Sequence, residues 1–360
     1  MPSPGPAHSP ASPSPSAPDG EPSAALSPPG PSPVQPSPAG QSSAAPSPAG
    51  PLPVQPSPAG PSAASGAGDE FEAERSHLLS VAYRMLGSRA EAEDAVQEAW
   101  LRYHRARDAG EQIRDLRGWL TTATGRICLD VLKSARVRRE AYPGQWLPEP
   151  VVSRLDDPAE KVAQKQEVSL ALLVVLEKLT PEQRVAVVLH DAFGLPFEEV
   201  AAVLGTSVAA ARQHASRGRR AVSDGQARHT AGLAEQRRVL DAFLAAAASG
   251  DLRALAAVLA PDVVTIGDGG GVVNAGRNAV VGLDRVARFW AGIFDRRKRL
   301  AAELATEPVV VNGDAGVLIT GRYSDGRPVL AVLSVAVADG RITAVYNQLN
   351  PAKLGSVGDR

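Results

Sequence analysis

Cysteine is nearly absent from this 360-residue chain, and Cys128 alone supports neither an intramolecular disulfide framework nor a cysteine-rich zinc site. Net charge is nearly absent too. The 38 basic and 39 acidic side chains leave −1, which excludes a uniformly basic nucleic-acid coat and a polyacidic protein. No apolar run nears the ~18 residues of a membrane span. The longest, Leu170-Ala-Leu-Leu-Val-Val-Leu176, has the length of a core helix. No basic stretch followed by an apolar one opens the chain, so a cytoplasmic protein without a secretory signal or membrane partner is expected. The length suggests two or three domains with sizeable cores.

Charge is scarcest at the start. Residues 1–68 hold 21 of the 31 prolines and only two charged side chains, Asp19 and Glu21. The decapeptide at 31–40 returns at 51–60 with Leu52 in place of Ser32. Such a segment buries too little apolar surface to offset its ordering entropy, so residues 1–68 are expected to be a disordered Pro/Ser/Ala-rich tail with polyproline-II character. A Pro-rich recognition arm, and a translation start nearer Asp69, are competing readings. The remainder has an ordinary globular composition.

From Ala92 the apolar positions Ala92, Ala95, Val96, Ala99, Trp100 and Tyr103 follow the stripe of an amphipathic helix. Glu91, Asp94, Gln97, Glu98 and Arg102 take its other face. A second helix is expected over about 116–136, with Leu116, Leu120, Ala123, Ile127 and Val131 on one side and Cys128 beside them as a small core residue. Residues 69–98 carry −5 and residues 99–139 carry +6. An acidic helix face followed by a basic helix suits two different partners, although a solvated helical surface gives the same pattern.

Farther on, a long helix is expected to run through Leu179. Thr180-Pro-Glu-Gln183 then reads as a helix start: Thr180 caps, Pro181 fits the first helical position, and Gln183 reaches back as in a capping box. That helix should end near Phe193-Gly194. Residues 196–205 suit a short helix closed by Gly205, and Thr206-Ser207 caps a last one, Val208 to about Val222. Two short helices about a glycine turn form a helix-turn-helix unit. Val208, Ala211, Ala215, Gly218 and Val222 make the inner stripe of its second helix. Arg212, Gln213, Ser216, Arg217, Arg219 and Arg220 lie largely off it. The local charge of +4 over 206–230 fits DNA, because arginine serves both phosphate and guanine and glutamine can pair with adenine.

These residues resemble a family. Tyr83-Arg-Met-Leu-Gly-Ser88, Glu91-Ala-Glu-Asp-Ala-Val-Gln-Glu98, and Gly118-Trp-Leu-Thr-Thr122 through Cys128-Leu-Asp130 are similar to region 2 of bacterial extracytoplasmic-function sigma factors. Leu179-Thr-Pro-Glu-Gln-Arg184 through Arg212-Gln-His-Ala-Ser-Arg217 are similar to their region 4. Trp146-Leu-Pro-Glu-Pro150 and Asn350-Pro-Ala-Lys-Leu354 resemble motifs of the subgroup with a fused C-terminal SnoaL-like domain. In that C-terminal part, Asn312-Gly313, Asp325-Gly326 and Asp339-Gly340 separate four strand-like runs, 303–311, 316–323, 328–338 and 341–349, as in an antiparallel meander. Helices are expected at 235–248, 251–260 and 283–294, giving the α+β cone of SnoaL-like and NTF2-like domains.

The resemblance implies a multidomain chain: sigma region 2 (69–140, helical bundle), a linker (141–167), sigma region 4 (168–226, helix-turn-helix) and a SnoaL-like domain (231–354). It implies core RNA polymerase as a partner through Asp94, Gln97 and Glu98, and promoter DNA as the other. The −10 element would meet Arg114, Arg117, Trp119, Arg126, Lys133 and Arg136, although Trp119 suits a core position as well. The −35 element would meet the helix capped at Ser207, with Arg212 and Gln213 on base edges, Ser216 beside them, and Arg217, Arg219 and Arg220 nearer phosphate. Gly125 stands where the family often has Asn, His214 where it has an apolar residue, and Ala352 where the subgroup has Asp. The subgroup further implies regulation in cis by the C-terminal domain.

Asp268, Tyr323 and Tyr346 are candidate pocket groups for a small-molecule ligand in the cone, and all six histidines precede residue 230, which leaves that domain no histidine base. No cofactor, metal or catalytic residue is expected. Two other readings stay open. One is a one-component helix-turn-helix regulator with a ligand-sensing cone, which has no need of the 83–136 motifs. The other is a SnoaL-like or ketosteroid-isomerase-like enzyme fused to helical domains, which needs turnover by the C-terminal part.

Overall fold

A computed structural model describes residues 63–140, 142–154, 168–226 and 229–358. The Pro-rich stretch up to residue 62 lies outside the described residues, as does most of the second half of the linker. No helix among the described residues is long and apolar enough to cross a membrane.

Three helices open the described chain: α1 (Ala63–Leu86), α2 (Arg89–Asp108) and α3 (Leu116–Glu140). Gly87 turns the chain in the left-handed region (φ 69°), and Ser88 then caps α2 by accepting from the Glu91 N–H. The expected stripe is the buried one, Ala92, Ala95, Val96, Ala99 and Tyr103. Trp100 stays half-buried, with its ring 4.7 Å from that of Phe71. Cys128 is fully buried beside Ile127, and burial pushes its thiol pKa up, so it is an inert core side chain.

The second helical segment comprises α4 (Leu170–Leu176), α5 (Pro181–Val187), one π-helical turn (Val188–Ala192), α6 (Phe197–Leu204) and α7 (Val208–Gln226). The helix expected to reach Leu179 stops at Leu176, where a turn brings the chain to the Thr180 cap. Thr180 and Gln183 form the reciprocal capping box, at 3.3 and 3.2 Å. Gly205 closes α6 in the left-handed conformation. Gly218 lets α7 lie directly on α5, because a Cβ there would stand 2.5 Å from a Val187 methyl.

The two helical segments share a single apolar core. Gly125 of α3 faces Leu189 and Val203, so Leu120, Ile127, Leu189 and Val200 belong to one continuous interior.

The C-terminal unit begins with α8 (Leu233–Ser249) and α9 (Leu252–Val258). The helix expected over 251–260 ends at Val258. Pro261 cannot continue it, and the β-branched run Val263-Val-Thr-Ile266 belongs to a strand, β2 (Leu259–Asp268). After β3 (Val280–Val281) comes α10 (Leu283–Leu300), then the expected meander β4 (Ala301–Val311), β5 (Asp314–Tyr323), β6 (Pro328–Ala338) and β7 (Arg341–Gln348), and finally α11 (Pro351–Gly358). Asn312-Gly313 and Asp339-Gly340 both have positive φ and make two-residue hairpins. Strand β2 adds parallel to β7, and a strand of the linker, β1 (Val152–Arg154), adds antiparallel to β4, giving the order β1-β4-β5-β6-β7-β2-β3.

That sheet is apolar on both faces. Leu333, Val335, Val337 and Val345 pack with Phe243 and Trp290 of the C-terminal helices. Val309, Val311, Val332 and Tyr346 pack instead with Leu147 of the linker, Leu170 and Val174 of α4, and Leu354 of α11. The second face is therefore covered by the linker and by the second helical segment.

Candidate functional site

The candidate partner surfaces follow from which helix faces remain outside the core. On α2, Asp94 and Gln97 are exposed and Glu98 is half-exposed, its carboxylate held by Arg102 at 2.9 Å. All three point away from the buried alanine stripe. Ahead of α3 and on its first turn, Arg114 and Arg117 are exposed. Arg117 reaches the His77 ring at 2.9 Å and Glu74 at 3.7 Å. Burial first, and Arg117 second, hold the His77 pKa below its ordinary value. Trp119 packs half-buried beside Tyr103 and donates its indole N–H to Glu111 at 3.2 Å, which fits the core role weighed for it. Lys133 is exposed, and the Arg136 side chain lies outside the described ones. Arg126 is exposed but donates to the Ala202 carbonyl of α6 at 3.3 Å, so in this arrangement it braces one helical segment against the other.

The outer face of α7 presents Arg212, Gln213, Ser216, Arg217, Arg219 and Arg220, all exposed, while Ala211, Ala215 and Gly218 are buried. Ser207 caps the helix by accepting from the Ala210 N–H at 3.2 Å. The arginines differ. Arg219 grips Asp191 with two bonds of 2.8 and 2.6 Å, which raises its own pKa. Arg212 lies over the Phe197 ring at 5.5 Å and 3.7 Å from Glu198. Arg217 and Arg220 form no ion pair among the described residues. The phosphate-side trio expected from the sequence thus divides into two cations without an ion pair among the described residues and one spent on Asp191.

The three candidate pocket residues are not brought together. Tyr346 shares the linker face of the sheet with Asp268, two register positions along, whereas Tyr323 packs against the helix-side cluster. Asp268 is fully buried and faces the linker. Its Oδ1 accepts from the Tyr142 hydroxyl at 2.6 Å and the Gly270 N–H at 3.0 Å, and its Oδ2 from the Leu147 N–H at 3.0 Å and the Lys353 ammonium at 2.7 Å. Burial and this carboxylate push the Tyr142 pKa up. Lys353 also donates to the Leu147 carbonyl at 2.6 Å and lies 3.9 Å from the centre of the Trp146 ring. Gly270 and Gly271 run so close to Asn350 and Pro143 that a Cβ on either would approach to 2.5 Å. Three motifs far apart in sequence, at 146–150, 268–271 and 350–354, thus form one clasp. Ala352 contributes only its backbone N–H, to the Asn350 side chain at 3.0 Å.

The clasp continues into the first helical segment. The Glu149 carboxylate accepts from the Arg89 N–H at 2.8 Å at the start of α2, and the Glu149 carbonyl accepts from the Tyr83 hydroxyl at 2.6 Å. Asn312, in the β4–β5 hairpin, donates to that same hydroxyl at 2.9 Å and accepts from the Val151 N–H at 3.0 Å. Arg184 completes the network from the second segment. It is 2% exposed and donates to the Leu176 carbonyl at 2.8 Å, the Met85 carbonyl at 2.7 Å and Glu177 at 2.6 Å. The sequence marked Arg184 only as the end of a motif. Nothing in local periodicity reveals that its partner is a carbonyl of α1.

Comparison with known proteins accounts for these parts. Residues 71–138 match the family described as Sigma-70 region 2, residues 169–222 match Sigma-70, region 4, and residues 240–345 match the SnoaL-like domain. The chain is 45% identical over 293 residues to the ECF RNA polymerase sigma factor SigJ of Mycobacterium tuberculosis H37Rv, covering 79% of this chain and 92% of that one. It is 36% identical over 291 residues to the probable ECF RNA polymerase sigma factor SigI of the same organism, covering 79% and 93%. The crystal structure of the M. tuberculosis extracytoplasmic function sigma factor SigJ superposes with a TM-score of 0.61 at 41% identity, covering 80% of this chain and 98% of that one. Matched through both helical segments and the C-terminal unit, the chain belongs to the extracytoplasmic-function family of RNA polymerase sigma factors, which direct the polymerase to promoters, in its branch with a fused SnoaL-like domain.

Proposed function

We propose that this sigma factor engages core RNA polymerase through Asp94, Gln97 and Glu98 in the cytoplasm, the −10 element through α3 and the loop before it, and the −35 element through α7, and that its C-terminal domain restrains it by holding the linker. The observation that carries this reading is the capture of the linker: β1 is a strand of the C-terminal sheet, and two of the four donors to Asp268 belong to the linker. The −10 and −35 elements lie about 25 base pairs apart, or about 85 Å at 3.4 Å per step. Regions that share one apolar core cannot reach both elements at once. The 141–167 linker, fully extended, spans about 90 Å, long enough once it is released. Holding the linker therefore favours the closed pair, and releasing it permits promoter engagement.

Within region 4, Arg212 and Gln213 serve base edges, and Arg217 and Arg220 serve phosphate. Asp268, Tyr323 and Tyr346 do not line one site, and this reading gives them no catalytic step. Promoter-specific run-off transcription by the full chain with core polymerase tests the reading. Initiation is expected, and stronger initiation after the clasp is broken. No initiation by either protein, with core shown active using another sigma factor, refutes it.

A further inference from the structure

Helix α10 carries Arg285, Arg288, Arg296, Arg297, Lys298 and Arg299 against Asp284 and Asp295. At 100° per residue, Arg285, Arg288, Arg296 and Arg299 fall within about 80° of arc, and all four are exposed. The opposite face buries Val286 and Trp290 against the sheet. Arg285, Arg288 and Arg296 form no ion pair among the described residues, and Arg299 pairs only with exposed Asp295, at 2.8 Å. At 1.5 Å per residue the row is about 21 Å long, which matches about six base-pair steps of a duplex.

A second observation comes from Gly292, which lies in the same arc between Arg288 and Arg296. Glycine in a helix interior costs about 1 kcal/mol relative to alanine. Its φ does not require glycine, and a Cβ there would meet nothing within 4 Å. Neither packing nor backbone conformation explains the residue. What it supplies is bare backbone in the middle of an arginine row, where an extended polyanion can approach closely.

We propose that this face of α10 is a third DNA-binding surface, one that takes the phosphate backbone of duplex DNA without reading its sequence. The choice of DNA as occupant rests on the sigma-factor reading, which already places the protein on a duplex, and on charge complementarity.

The test compares the full chain with Arg288→Gln/Arg296→Gln for binding to a random-sequence duplex and to core polymerase at 50 and 200 mM salt. Two lost phosphate contacts flatten the salt slope by about 1.8, so the affinity ratio of the two proteins should change about twelvefold between those salts. Affinity for core polymerase should not change. Gly292→Leu, which keeps the charge and favours helix, should weaken duplex binding several-fold. Equal slopes for the two proteins overturn the proposal, and a loss confined to polymerase binding overturns it in favour of a protein partner. Tight duplex binding by Gly292→Leu overturns the close approach. Wild-type promoter initiation is scored separately, so failure of the sigma reading and failure of this surface are told apart.

Discussion

Replacing Lys353 with alanine should open the closed pair. Lys353 and Asp268 are 2.7 Å apart, with side chains 12% and 0% exposed, so the variant leaves a buried carboxylate without its cation for as long as the linker covers it. Removing one partner of such a pair costs about 3–5 kcal/mol, and the bond to the Leu147 carbonyl and the contact with Trp146 are lost as well. In the released form water can reach Asp268, so the penalty falls on the closed form alone. At 1.36 kcal/mol per decade, even about 3 kcal/mol moves the balance more than a hundredfold toward release. Energy transfer between fluorophores on the outer faces of α2 and α7 should report separation, and run-off transcription should reach half-maximum at lower sigma concentration. Asp268→Ala/Lys353→Ala, which leaves no uncompensated charge, should shift the balance less than the single variant. A folded Lys353→Ala protein with unchanged transfer and unchanged transcription would refute the clasp as a restraint.

Five further variants have defined outcomes. Arg184→Met removes the buried guanidinium that joins α1 to region 4 and should cost about 3–5 kcal/mol, measured by urea unfolding. Arg220→Ala should flatten the salt slope of promoter binding by about one, whereas Arg212→Ala should relax base preference. Arg219→Ala should change the slope less than Arg220→Ala, because Asp191 already neutralises Arg219; equal slopes for the two variants would contradict that division. His77 has a folded pKa below its unfolded value of about 6.5, so the unfolded chain binds the extra proton first. Stability is then full above about pH 6.5 and falls as pH drops from there through the folded pKa. His77→Gln should remove that part of the dependence in denaturation measured at stepped pH.

What could be read from the sequence was local. The capping box at Thr180, the glycine at 205 and the Asn-Gly and Asp-Gly hairpins are short-range signals, and each element they predicted is in place. The missed features are long-range. Strand β2 was hidden because Leu259-Ala-Pro continues an alanine-rich helical pattern, and its partner β7 lies some 80 residues away. Strand β1 has three residues, Val152-Ser-Arg154, too few for any periodicity to register. Asp268 before three glycines reads equally as a turn or a pocket group, and only the fold brings Tyr142, Leu147 and Lys353 to it. Periodicity places the apolar residues of regions 2 and 4 on helix faces, but a stripe does not say which other stripe it meets. The union of the two regions in one core arises only in the fold, where Gly125 lies against Leu189 and Val203.

The saturation of Asp268 also bears on the choice between restraint and catalysis. A carboxylate offers about four lone-pair positions, and here each oxygen already accepts two bonds, one of them from an ammonium. A general base needs an unoccupied lone pair within reach of the proton it takes. In the closed form Asp268 has none. The Gly270 bond closes a turn within the same loop, so freeing a lone pair for an outside group requires the departure of Tyr142, Leu147 or Lys353. Two of those three are linker residues and the third closes over the linker ring at Trp146. Any chemistry or ligand binding at Asp268 would thus be coupled to release of the linker, so a ligand drawn to that carboxylate would act by competing with the clasp. Under the proposed restraint, a ligand sensed through Asp268 would therefore act on the same device that holds the linker.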